Sequence, residues 1–183
     1  MPQQDTPKRK LSVNLSELES VFDTSFEFTS HYLDLETGQI IMITEDVHRW
    51  LEKIYEQMQS QEGGEPIDFA TALEQCNVPD GEKDLLRVAD QIEAGYGTRY
   101  APVPEADTHQ DSRDMEDFIA TVRNERLQDR LWRAISGRGA FRYFKDVLAD
   151  HPRERECWFK FKDARVRQRV LDWLDAQGIE PGD

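Results

Sequence analysis

The residues best placed to do chemistry sit at Gly137-Arg138-Gly139, between two stretches of helical hydrophobic spacing. Free backbone N–H groups at the start of the second helix, with the Arg138 guanidinium beside them, would form an anion site. The same three residues also suit a plain turn. Gly137 would then be the left-handed glycine that ends one helix, and Gly139 would allow close approach to the next. No Gly-Lys-Ser/Thr of a phosphate loop and no dinucleotide fingerprint surrounds them. The turn is therefore the expected role, with an anion site as the alternative.

Arginines recur on either side of this turn. At about 100° per residue, Arg123, Arg126, Arg130 and Arg133 fall within about 80° of one another on a helix. Lys162, Arg165 and Arg169 make a second stripe, and Arg142 and Lys145 lie just after the turn. Phosphate binding is one use of such stripes. Pairing with acidic residues, or solvation with apolar stems lying over core, is the other and the expected one. The turn also resembles the break of a helix-turn-helix, with Phe141–Ala149 as the reading helix. Asn, Gln, Ser and Thr for base edges are missing there, so base reading is not expected. Trp132 lies beside the apolar stripe, where an exposed aromatic among arginines could anchor a protein or stack on a base.

Other constellations are thinner. Asp34, Glu36, Glu45, Asp46 and His48 could supply metal ligands, but turn and cap roles account for four of the five. His31, His109 and His151 have no Ser, Cys or Asp motif beside them, and nothing resembles a nucleophile elbow. No catalytic, metal or cofactor residue is assigned, and no cofactor is implied.

The elements that would position these residues follow from periodicity. Asn14 or Ser16 caps a short helix through Phe22. The stretch Ser25–Leu35, the turn Glu36-Thr37-Gly38 and the stretch Gln39–Thr44 form a β-hairpin. Val47, Trp50, Leu51, Ile54, Tyr55 and Met58 then give a complete helical stripe. A weak segment precedes a helix near Pro79–Glu93. From Arg113 onward the pattern is helical: one helix around Met115–Val122, one capped by Asn124, one over Phe141–Leu148, and a long one from Pro152 to Gly178. The expected fold is α+β and predominantly α-helical, an N-terminal hairpin with a C-terminal helical array. A disordered tail at 1–10 and a single domain over 11–180 are expected, with acidic, poorly ordered linkers near 60–66 and 100–112.

Composition narrows the function classes. A formal net charge of −14 on 183 residues argues against indiscriminate binding to nucleic acid or anionic membrane. The charge is uneven: Arg123–Val170 carries 14 Lys/Arg against 7 Asp/Glu, whereas Leu11–Val122 carries 6 against 25. The two cysteines, Cys76 and Cys157, suggest a reducing compartment without a disulfide framework. The polar N-terminus lacks a secretory h-region, and no apolar run approaches the ~20 residues of a membrane helix. The expected location is the cytoplasm, with no membrane contact.

The block Ala134-Ile-Ser-Gly-Arg-Gly-Ala-Phe-Arg-Tyr-Phe-Lys-Asp146 resembles the hallmark of the bacterial uncharacterised protein family UPF0158. Tyr32-Leu-Asp-Leu-Glu-Thr-Gly38, Met115-Glu-Asp-Phe118, Trp158 and Asp172-Trp-Leu-Asp-Ala-Gln-Gly-Ile179 resemble it too. The resemblance implies no catalytic residue and no cofactor. The expected function is a non-catalytic regulatory or adaptor module binding another protein. The candidate surface is Gly137, Arg138, Gly139, Arg142, Lys145, Arg126, Arg130, Arg133 and Trp132. One alternative is a nucleic-acid-associated protein that grips the phosphate backbone weakly through the arginines of 123–169. A second alternative is a phosphate-ligand or metal-dependent enzyme.

Overall fold

Apolar spacing and capping chemistry divide the chain into eight helices and five strands among the described residues. The computed structural model describes residues 8–59 and 67–182, so the expected loop at 60–66 and most of the expected tail lie outside the described residues. The chain forms two compact units, one from residues 1–105 and 174–183, the other from 106–173.

In the first unit, β1 (Arg9–Ser12) begins inside the stretch expected to be disordered. It pairs in parallel with β5 (Ile179–Gly182), Arg9 facing Ile179, and buries Leu11. Helix α1 (Leu15–Asp23) starts where Asn14 accepts the Glu17 N–H through its side chain at 3.2 Å. The expected hairpin is formed by β2 (Thr29–Asp34) and β3 (Ile40–Thr44), antiparallel, with Leu33 opposite Ile40. Its turn closes through the Gly38 N–H to the Asp34 carbonyl at 2.8 Å. Gly38 has φ +77°, and a Cβ there would run into the Ser12 carbonyl oxygen, so the turn needs glycine for two reasons.

A third strand, β4 (Tyr100–Pro102), joins the other side of β2. The sequence region 100–112 reads as a poorly ordered acidic linker, yet Tyr100, Ala101 and Val103 are buried. Burial of that apolar set gives this segment a strand despite its flanking prolines and acids. The sheet and the helices α2 (Glu45–Gln59), α3 (Phe69–Gln75) and α4 (Asp80–Ala94) enclose a core of Ile43, Val47, Leu51, Ile54, Leu73, Leu86 and Ile92. The α2 stripe supplies three of these, as its 3.6-residue period requires.

The second unit is helical: α5 (Thr108–Thr121), α6 (Glu125–Ile135), α7 (Ala140–Ala149) and α8 (Pro152–Ala176), the last of which runs past the unit boundary at Trp173. Asp107 caps α5 by accepting the His109 N–H, and Asn124 caps α6 by accepting the Leu127 N–H at 3.2 Å. Apolar residues at three- and four-residue spacing meet in a core of Met115, Phe118, Ile119, Leu127, Leu131, Phe144, Leu148 and Trp158. Trp158 is the hub. Its ring stands 4.8 Å from Phe144 and 5.2 Å from Phe118, both edge-to-face, an arrangement that adds to area burial.

Candidate functional site

Burial of Leu127 and Leu131 leaves Arg130 and Arg133 exposed along one flank of α6, with Ala134 half-buried between that flank and the core face. On α7, burial of Phe144 and Leu148 likewise leaves Tyr143 and Asp146 exposed, with Val147 half-buried against the core. These two stripes, with Gly137 and Arg138 of the connecting turn, line a groove of about 560 Å³. Half-buried Ala134 and Val147 give it an apolar floor, and its exposed lining carries three arginines with Tyr143 and Asp146.

The turn differs in detail from the sequence expectation. The left-handed residue is Gly139, at φ +77°, not Gly137. α6 ends instead on Ser136, whose hydroxyl donates to the Trp132 carbonyl at 2.7 Å. The Ser136 hydroxyl thus adds a hydrogen bond to one of the carbonyls near the α6 C-terminus. A Cβ on Gly137 would meet nothing within 4 Å, so that position is not held to glycine by packing. A Cβ on Gly139 would come within 3.3 Å of the Tyr143 ring.

The candidate residues separate into three groups. Arg130, Arg133, Gly137 and Arg138 converge on the groove. Arg130 is engaged there: its guanidinium lies 3.9 Å from the Asp150 carboxylate and 3.4 Å from His151 Nε2. Arg133 and Arg138 make no ion pair among the described residues. Gly139, Arg142, Lys145, Arg126 and Trp132 are near but do not line the groove. Arg142 faces Asp146 at 3.9 Å, the Lys145 ammonium stands 4.4 Å from the Phe141 ring centroid, and Trp132 is 40% exposed. Arg123 precedes α6 and its cap, so the first arginine stripe is three residues long, not four.

The two arginines of the second stripe are committed to α5. Arg165 pairs with Asp117, and Arg169 donates to Asp114 at 2.6 Å, with Asp114 fully out of solvent. Lys162 lies 5.5 Å from the Phe141 ring. Acid pairing therefore occupies these two arginines.

Sequence reasoning missed Tyr143, Ala134, Asp146 and Val147 as lining residues. The signal was available in the spacing: 130, 133, 134 and 137 fall on one helical face, and 143, 146 and 147 on another. Attention to charge alone left the aromatic and aliphatic members out.

In the first unit, Asp34 is 4% exposed and receives the Arg99 fork, with Nη2 at 2.8 Å, and the Glu36 N–H at 2.8 Å. Burial pushes its carboxyl up, but Arg99, the Glu36 amide and the Thr37 hydroxyl together hold it below the usual carboxylate range. Burial lowers His31, against the pull of Glu105 and Glu17. Glu45 and Asp46 occupy the first turn of α2, and His48 is half-buried. No group of three or more His, Cys, Asp or Glu among the described residues is placed to hold a metal ion. No helix among them is long and apolar enough to cross a membrane.

The sequence profile of the uncharacterised protein family UPF0158 matches residues 73–182, which include the whole groove. The chain belongs to the UPF0158 family. It is similar to UPF0158 protein PA5073 of Pseudomonas aeruginosa, 24% identical over 94% of this chain and 88% of that protein. A UPF0158 protein of Chlamydia muridarum is 28% identical over 51% of this chain, and one of Chlamydia trachomatis 26% identical over the same share. Each of these chlamydial matches spans 28% of the relative's own length. No solved structure matches the chain.

Proposed function

We propose that this UPF0158 chain is a non-catalytic regulatory or adaptor module that binds another protein through the α6–α7 surface. The observation that carries this reading is the groove itself, where two arginines without ion pairs among the described residues stand beside an exposed tyrosine over an aliphatic floor. Arg, Tyr and Trp are the residues that dominate protein-binding energy, because each combines large contact area with a polar or charged tip. Trp132 extends the same surface. Both cysteines are free thiols, Cys157 exposed, which suits a reducing cytoplasm.

A photo-crosslinking residue in place of Tyr143, carried in the full chain, tests the reading in cells. A discrete protein adduct, insensitive to nuclease and lost on Arg133→Ala with Arg138→Ala, is expected. Absence of any protein adduct at 143 overturns it.

A second reading, contact with single-stranded nucleic acid, draws on Phe141. Phe141 is 39% exposed and has the ammonium groups of Lys145 and Lys162 at 4.4 and 5.5 Å from its ring centroid, an aromatic-plus-cation arrangement of the kind used on single strands. Such binding would be weak, tolerant of sequence and lost with salt. A nuclease-sensitive adduct at Tyr143 would favour it.

A further inference from the structure

We infer that the α6–α7 groove takes a short acidic segment of a partner protein, with one apolar side chain seated on Ala134 and Val147 between carboxylates held by Arg133 and Arg138. The inference rests on the protein-binding reading and names the chemistry of the partner.

Charge complementarity selects the occupant. Arg133 and Arg138 present planar donor forks that match carboxylates two bonds at a time, and no carboxylate among the described residues takes them. The apolar floor adds a requirement that charge alone cannot meet. An aliphatic side chain is needed to displace water from Ala134 and Val147, and the Tyr143 ring, 55% exposed, gives it a wall. The volume, about 560 Å³, falls within the range of sites that hold a few side chains.

A nucleic-acid backbone fits the same groove less well. Asp146 stands in the wall and Asp150 lies 3.9 Å from Arg130, so a continuous run of phosphates would pass two carboxylates. The unit around the groove, residues 106–173, holds 15 Lys/Arg against 13 Asp/Glu. That balance is too even for a backbone-tracking surface, whose affinity comes from many uncompensated cations.

The test is fluorescence anisotropy on the full chain. The probe is a short labelled peptide with one leucine flanked on both sides by glutamates. Binding is expected to weaken by about tenfold or more in Arg133→Ala with Arg138→Ala, and to fall with added salt. Arg133→Lys with Arg138→Lys, which keeps charge and loses the fork, should fall between the two. Replacing the leucine by serine should cost about tenfold as well, through loss of the buried apolar contact. A melting scan of each variant shows that it is folded. Failure of the acidic peptide to bind, binding that survives the double alanine change, or tighter binding of a single-stranded oligonucleotide or of phosphate overturns the inference. Self-association that blocks the peptide and is lost in the double variant would also overturn it, since a second copy would then be the occupant. A protein adduct at Tyr143 with no acidic-peptide binding would remove this inference and leave the adaptor reading standing; loss of both would remove both.

Discussion

Gly137 and Gly139 flank one arginine and carry different constraints. At Gly139 the backbone is left-handed and the Tyr143 ring crowds the space a Cβ would enter. Gly139→Ala should therefore lower stability by about 1–3 kcal/mol. Gly137→Ala meets neither obstacle and should stay within about 0.5 kcal/mol of the natural chain, as surface changes do. Urea unfolding of both variants checks the pair, and an equal loss at 137 would mean that the turn is strained elsewhere. A second residue-scale expectation concerns Asp34, whose carboxylate is buried against Arg99. Asp34→Asn should cost about 1–3 kcal/mol at neutral pH, the usual loss for hydrogen bonds to a buried charge. The sign of its pH dependence follows from the lowered carboxyl: the stabilisation is complete above the unfolded value near 3.9 and is lost as pH falls through the lower folded value. The stability gap between natural chain and variant should thus be constant from pH 7 to about 5 and close below about 4. A gap that persists unchanged into acid would show that packing, not charge, holds the turn.

Helix α6 shows the division of labour within one element. Leu131 is fully buried and Trp132, its neighbour, is 40% exposed. Leu131→Ala should cost about 2–5 kcal/mol, while Trp132→Ala should leave thermal stability nearly unchanged. Asn124→Ala, which removes the cap on the Leu127 N–H, should cost about 1 kcal/mol. Circular dichroism melts rank the three, and a Trp132 variant as unstable as the Leu131 variant would remove that residue from the partner surface. Much of this element was legible in advance, because a 3.6-residue period and an Asn before it are local signals. The α2 stripe and the β2–β3 hairpin were legible for the same reason. What was not legible is non-local. β1, β4 and β5 are four, three and four residues long and owe their existence to partners far along the chain. The same limit applied to the groove: its arginines could be found by spacing, but only the pairing of α6 with α7 shows that Tyr143 and Val147 face them across it. It applied again to Arg165 and Arg169, whose carboxylates lie 48 and 55 residues away.

At the scale of the whole chain, the helical unit lies in sequence between β4 and β5 of the other unit. The unit of residues 1–105 and 174–183 is therefore completed only by its last strand, through four paired positions from Arg9–Ile179 to Ser12–Gly182. That pairing also sets β1, on which the Gly38 turn closes with no room for a side chain. The buried cluster of Met115 to Trp158 is built from residues of the helical unit alone. A chain ending at Ala176 tests the consequence. It loses β5 and the buried Ile179, whose burial alone is worth about 2 kcal/mol. Hydrogen exchange should then quicken in β1 and in the turn at 34–39, because local opening there becomes easier, while α6 and α7 keep their protection. The acidic peptide should bind the shortened chain as it binds the full one, since every lining residue of the groove lies between 130 and 147. If protection falls equally in β1 and in α6, the two units unfold together and the helical unit is not an independent platform. Retained protection in α6 with faster exchange in β1 would establish that the surface offered to a partner is held by its own core.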